Sequence, residues 1–420
     1  MLSAFEIIAI LLTLTAVFAW VNHVVLKLPN TIGLLLMALA ASLVLVAIEL
    51  MLPDIALSDD IAKLVGDVHF PETLLNGMLA FLLFAGGLQV DLTRLRRRGW
   101  VIGVMATIGV FISTLIVGGL FWLTSNWLNI AVPVSWALVF GALISPTDPV
   151  AVLSTLREVN IKESVATDIA GESLFNDGVG VVLFTLLLAA ATQGDGSTFG
   201  PIEFLRLFFY EAIGGALLGL VTGYIAYRGM RAIDEYGIEV LISIALVTGT
   251  YALAAHLHVS GPISMVVAGV LIGNRGVSLA MSDTTQRYLL GFWTLIDEIL
   301  NSVLFLLIGL EVLVLQFTAS VVPLALAAIP IVLFARLCAV AIPVLALRVR
   351  THFEKKAIVT WAGVRGGISI ALALSIGDAP HRSAILAATY TVAVFTIVVQ
   401  GLSLGWIVHR LGLDRAAPQP

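Results

Sequence analysis

What most constrains this chain is the recurrence of apolar stretches of about twenty residues, the length a helix needs to cross the hydrocarbon core of a bilayer. About thirteen are readable, at 5–25, 31–51, 73–90, 100–123, 133–154, 164–191, 205–228, 238–257, 260–273, 288–315, 319–347, 356–377 and 383–409. Of the 420 residues, 60% are hydrophobic and 12% charged, whereas a soluble domain carries about 25% charged residues. That composition excludes a water-soluble enzyme and predicts an all-α polytopic membrane protein built as one unit. The net charge of -5 gives no reason to expect nucleic acid as a partner; the partner to expect is the lipid bilayer. No Walker loop and no nucleophile–base pairing is readable, so no enzymatic activity and no cofactor are expected.

Lys and Arg collect in the cytoplasmic loops of membrane proteins. The segment with Arg94, Arg96, Arg97 and Arg98 is the richest. Placing it inside puts Lys27, Arg157, Lys162, Arg228, Arg231, Arg275, Arg287, Arg348, Arg350, Lys355, Lys356, Arg410 and Arg415 inside as well. That is 17 of the 22 basic residues, against Lys63, Arg206 and Arg382 outside. The N-terminus is then outside and the C-terminus cytoplasmic. The first segment has Glu6 and no early Lys or Arg, so it reads as a mature helix rather than a signal peptide. The short C-terminal tail predicts no attached cytoplasmic regulatory domain. Cys338, the single cysteine, lies in an apolar segment and has no intrachain partner for a disulfide.

Two of the segments are interrupted. The fifth reads GALISPTDPVAVL, with Pro146 and Pro149 flanking Thr147 and Asp148; the twelfth reads WAGVRGGISIALAL, with Gly363, Gly366 and Gly367 around Arg365. With the seventh segment (205–228) as a linker, each break is fifth in a half of six helices. A matched pair of interrupted helices points to a transport site between two inverted repeats. Each broken helix exposes a positive N-terminal and a negative C-terminal end at midplane. Asp148 is placed to offset exposed N–H groups, and Arg365 exposed carbonyls. The Thr147 carbonyl, freed by the break, is a further oxygen donor.

Charges inside a membrane cost about 2.5–3.5 kcal/mol on insertion scales, so each is a functional candidate. In GESLFNDGVGVVLF, Ser173, Asn176 and Asp177 are three and four apart and share one helix face. Their oxygen atoms suit a hard cation. Glu172 is five residues from Asp177, about 140° round the helix, and needs another partner. Arg336, in LFARLCAV, is the obvious one, and that pair reads as structural. Asp297 and Glu298 read as solvated residues near a helix end. His256 and His258, two apart, fall on opposite sides of a helix and do not make a metal site. The GVG run at 178–180 reads as close helix packing.

In their order along nearly the whole chain, FLLFAGGLQVDL, SPTDPVAVL, GESLFNDGVGVVLF, LFARLCAV and GVRGGISIALAL resemble the monovalent cation:proton antiporter family, in its NhaP-like sodium/proton exchanger branch. The resemblance implies an NhaA-like fold of thirteen helices in two inverted six-helix repeats with crossed broken helices, and a homodimer. It implies an ion-translocating core at 100–191 and 319–409 that moves against a scaffold at 1–90 and 238–315. It makes Asp177 the shared site for H⁺ and a monovalent cation, Na⁺ first and also Li⁺. Ser173 and Asp148 help to hold the ion, directly or through water, and Asn176 looks like the marker of electroneutral exchange. Glu172 with Arg336 looks like the family's buried ion pair. The prokaryotic plasma membrane is the expected location. One departure is on the third helix, where some relatives place a carboxylate and this chain has FAGG near Ala85. A K⁺/H⁺ antiporter, a sodium-coupled symporter and a passive cation channel are the alternative readings.

Overall fold

A computed structural model describes residues 3–51, 77–148, 152, 161, 163–193, 200–277, 280–313, 320–346, 353–377, 379 and 381–412. Pro149, Lys63, Arg157, Lys162, Arg348, Arg350 and Arg415 lie outside the described residues. Every element described is helical. In chain order these are α1 (Ala4–Val21), α2 (Asn30–Met51), α3 (Leu79–Leu88), α4 (Leu92–Trp127), α5 (Val134–Ile144), α6 (Glu163–Gln193), α7 (Pro201–Arg231) and α8 (Tyr236–His256). Then follow α9 (Gly261–Leu271), α10 (Asp283–Leu310), α11 (Val322–Ala346), α12 (Phe353–Trp361), α13 (Gly367–Leu374), α14 (Arg382–Phe395) and α15 (Gly401–Arg410). Wider π turns extend α1 at Asn22–Leu26 and α9 at Ile272–Gly276, and join α14 to α15 at Thr396–Gln400. Among the described residues, eight helices are long and apolar enough to cross a membrane, and Leu79–Leu88 and Val134–Ile144 are shorter apolar ones.

The helix ends depart from the apolar segments where capping chemistry takes over. α4 starts at Leu92, so the arginine-rich stretch is helical rather than a loop. The Asp91 carboxylate accepts the Thr93 N–H at 2.8 Å and so satisfies one of the donors that a helix start leaves open. α10 starts at Asp283, capped by the Ser282 hydroxyl. Asp297 and Glu298 consequently sit in mid-helix, not near its end; Glu298 is exposed and Asp297 half-buried. α9 is short because Ser260 caps it and Pro262 lies in its first turn.

The most extensive helix contacts join α4 with α11, α5 and α6, and α11 with α14; a second set joins α9 with α3 and α7, and α10 with α2. Lipid removes the hydrophobic drive for helix association, so small residues that permit close approach have to supply it. On α7, Gly215 and Gly219 face the Ser260 and Ser264 carbonyls, and Gly223 faces Ala268 on α9. In the GVG run, Gly178 rests on the Ile263 side chain and Gly180 on the Pro146 ring. A Cβ at Gly219 would collide with the Ser264 backbone. Gly219→Leu is therefore expected to separate α7 from α9 and to cost at least the ~1–3 kcal/mol typical of overpacking. Fluorescence-detected size-exclusion chromatography of the solubilised protein would read this as loss of the folded peak.

Candidate functional site

The site lies where the two interrupted helices cross. α5 ends at Ile144, and residues 145–148 continue without helical pairing. α12 and α13 are separated by residues 362–366, the stretch that contains Arg365. The two strands of irregular backbone are tied directly, the Asp148 N–H donating to the Val364 carbonyl at 2.8 Å.

The crossing leaves opposite helix ends facing polar groups of opposite sign. Arg365 is fully buried. Its Nη1 donates to the carbonyls of Ser145 and of Pro146, the latter at 2.8 Å, and so satisfies the open end of α5. Its own N–H donates to the Thr396 hydroxyl at 3.0 Å. Asp148 packs its carboxylate on Gly366, the N-cap residue of α13, so closely that no Cβ would fit there. A carboxylate at a helix N-terminus is favoured by the exposed N–H groups and the helix dipole.

α6 supplies the other wall. Asn176 clamps the break: its Oδ1 accepts the Thr147 N–H at 3.2 Å and its Nδ2 donates to the Thr147 hydroxyl at 2.8 Å. The Ser173 hydroxyl donates to the Thr147 carbonyl and lies 3.2 Å from the Thr147 hydroxyl. Asp177, one position further round the same face, is 5% exposed, and Asp148 and Arg365 are the charges that act on it. Among the described residues no donor is hydrogen-bonded to its carboxylate. The structure thus gathers Thr147, Asp148, Ser173, Asn176, Asp177 and Arg365 at one crossing. Hydroxyl, carbonyl and carboxylate oxygens in that combination suit a hard cation without thiolate or imidazole ligands.

Glu172 faces away from this cluster and binds Arg336 of α11 through both carboxylate oxygens, Nη2 to Oε2 at 3.0 Å. Arg336 Nη2 also donates to the Val359 carbonyl near the end of α12, at 3.1 Å. The pair therefore fastens α6, α11 and α12 together. On α3, Ala85 is fully buried, and its neighbour Gly86 lies against Leu174, next to Ser173.

Two participants were missed in the sequence. Thr396 receives the Arg365 N–H, and Gln400 Nε2 donates to the Trp361 carbonyl at 3.0 Å. Both satisfy backbone groups released by the α12–α13 break. Their signal was legible: two polar residues four apart, on one face of a largely apolar helix.

A buried carboxylate at the crossing of two interrupted helices, in a bundle of membrane-length helices, is the architecture of a secondary transporter. More narrowly, the chain belongs to the transmembrane sodium/hydrogen exchanger family, whose model matches residues 10–410. It is 45% identical to the Na(+)/H(+) antiporter NhaP of Pseudomonas aeruginosa over 413 residues, 97% of this chain and 96% of that protein. It is 33% identical to the Na(+)/H(+) antiporter NhaH of Halobacillus dabanensis over 89% of this chain and 91% of that one. The fold matches the sodium proton antiporter MjNhaP1 of Methanocaldococcus jannaschii at pH 8 with a TM-score of 0.75, at 21% identity, covering 97% and 99% of the two chains.

Removing Arg336 would leave Glu172 as an uncompensated buried charge, a loss of about 3–5 kcal/mol in typical cases. Arg336→Ala is expected to lower folded yield and thermal stability before it changes cation affinity; full expression with an altered apparent KM would contradict a structural role. Gly366→Ala is expected to push the Asp148 carboxylate off the start of α13. Transport by that variant should fall while the protein still inserts, as read by flux in proteoliposomes of matched protein content.

Proposed function

We propose that this chain exchanges Na⁺ for H⁺ across the membrane by alternating access, with the two ions competing for the Asp177 carboxylate. The observation that carries this reading is the placement of Asp177: buried, at the crossing of the broken helices, beside oxygen donors already ordered by Asn176 and Ser173. Burial in low dielectric disfavours a bare carboxylate. A proton neutralises it, and so does a monovalent cation. Either neutral form moves through the membrane interior at low cost, while the charged empty form is costly to move, and that difference enforces exchange rather than leak.

Asn176 supports a stoichiometry of one to one. It occupies the position beside Asp177, is held by both its amide atoms on Thr147, and carries no titratable proton. Asp148 stays committed to the start of α13 and Arg365 to the carbonyls of α5, so neither adds a second proton to the cycle. Thr147, Ser173 and Asp148 complete the ion's surroundings directly or through water. The packing of α4, α5, α6, α11 and α14 on one another, and of α2, α3, α7, α9 and α10 in a second set, supports a translocating core at 100–191 and 319–409 against a scaffold at 1–90 and 238–315. Thirteen membrane crossings in two inverted repeats, a homodimer, a plasma-membrane location, and an outside N-terminus with a cytoplasmic C-terminus complete the reading.

The test is reconstitution in liposomes with an imposed pH gradient, a pH-sensitive dye, and additions of Na⁺, Li⁺ and K⁺ at zero and at large membrane potential. Na⁺ should collapse the gradient at a rate independent of voltage. Asp177→Asn should abolish the response while the protein still folds. Cation flux without proton movement, or proton movement by Asp177→Asn, would overturn the assignment.

A further inference from the structure

Among the described residues, Glu239 is a buried carboxylate that the transport site does not use. Glu239, in the first turn of α8, is completely buried, and neither of its carboxylate oxygens has a hydrogen-bond partner. An ionised group buried without a partner is strongly disfavoured, so something must neutralise it. Among the described residues no Lys, Arg or His pairs with it. The ionisable neighbour that acts on it is another carboxylate, Asp234, in the short connection from α7 to α8.

Asp234 is exposed, whereas Thr285, whose hydroxyl it accepts, and Glu239 are buried. One oxygen of Asp234 accepts the Ser282 hydroxyl at 2.7 Å and the Thr285 hydroxyl at 3.3 Å, which fixes its position over the start of α10. One turn along α8, Ser243 receives the Trp293 indole N–H at 2.9 Å, so the helix face below Glu239 is already committed. Two neighbouring carboxylates, one open to solution and one buried, thus stand at the end of the bundle that also carries Arg228, Arg231, Arg275 and Arg287.

We propose that Glu239 and Asp234 hold a monovalent inorganic cation at a second site, on helices separate from Asp177. The ligands are carboxylate and hydroxyl oxygens, which select hard cations. A single charge matches, because only the Glu239 carboxylate is buried and needs neutralising. No group of three His, Cys, Asp or Glu side chains gathers among the described residues, so a multidentate divalent cage does not fit. The ion enters from solution past Asp234 and pins the α7–α8 connection to the start of α10. It therefore acts on α7, one of the helices against which α6 packs, not on the exchange step itself.

The test uses the full-length Asp177→Asn protein in detergent, so that it is independent of transport through Asp177. Thermal unfolding is followed in NaCl and in KCl against choline chloride at constant ionic strength. A ligand that binds only the folded state raises the melting temperature with concentration. A saturable rise in Na⁺ or K⁺ is expected, lost in Asp177→Asn/Glu239→Gln. Relative to the Asp177→Asn parent, Asp177→Asn/Asp234→Asn adds a change only at an exposed residue and guards against misfolding of the first variant; it should need roughly tenfold more cation for the same rise. Two results would overturn the proposal. One is a melting temperature indifferent to both cations, with Glu239→Gln as stable as its parent, which identifies a protonated carboxyl. The other is a cation response unchanged by either substitution.

Discussion

Everything at the centre of this molecule depends on two helices that stop in mid-bundle and the charges that make those stops tolerable. Unpaired backbone groups within a bilayer cost several kcal/mol each unless the protein satisfies them. Here Arg365 takes the carbonyls at the end of α5, and Asp148 lies at the start of α13. Each charge comes from the opposite broken segment, so neither break can form correctly without the other. The Asp148 N–H bond to Val364 locks that dependence into the backbone. The cluster of oxygen-bearing groups beside Asp177 is a product of this arrangement rather than an addition to it.

A second layer keeps the crossing in place. Glu172 and Arg336 join α6 and α11 to the end of α12, while Thr396 and Gln400 reach the break from the π turn between α14 and α15. A π turn adds a residue to the helical repeat and often occurs at functional sites. These contacts surround the proposed ion site with groups whose partners are fixed, leaving Asp177 as the carboxylate there without a committed hydrogen bond.

Much of this was legible in the sequence, for identifiable reasons. Apolar stretches report helices because lipid tolerates few alternatives, and Pro146 or Gly366 within such a stretch reports an interruption. The opposite charges of Asp148 and Arg365 followed from helix dipoles alone. Helix ends were less legible: α4 and α10 begin earlier than their apolar segments because Asp91 and Ser282 cap them outside that pattern. Thr396 was overlooked because a hydroxyl in an apolar helix usually bonds only its own backbone, as Thr389 does with Ile385; Thr396 donates to Ala393 in that way and also accepts the Arg365 N–H. Glu239 was invisible for a different reason: sequence reports a carboxylate near a helix start, but only coordinates show that no donor reaches it.

The Asn176 clamp on Thr147 has a consequence at the scale of the cell. With an amide fixed beside the one exchanging carboxylate, the proposed cycle moves no net charge, so the membrane potential does no work on it. Only the pH difference drives sodium, and the sodium ratio across the membrane can at most equal the proton ratio. Where the outside is more alkaline than the cytoplasm, the same cycle runs backwards and admits sodium. Such a transporter protects its cell from salt in acidic or neutral surroundings and becomes a liability in alkaline ones.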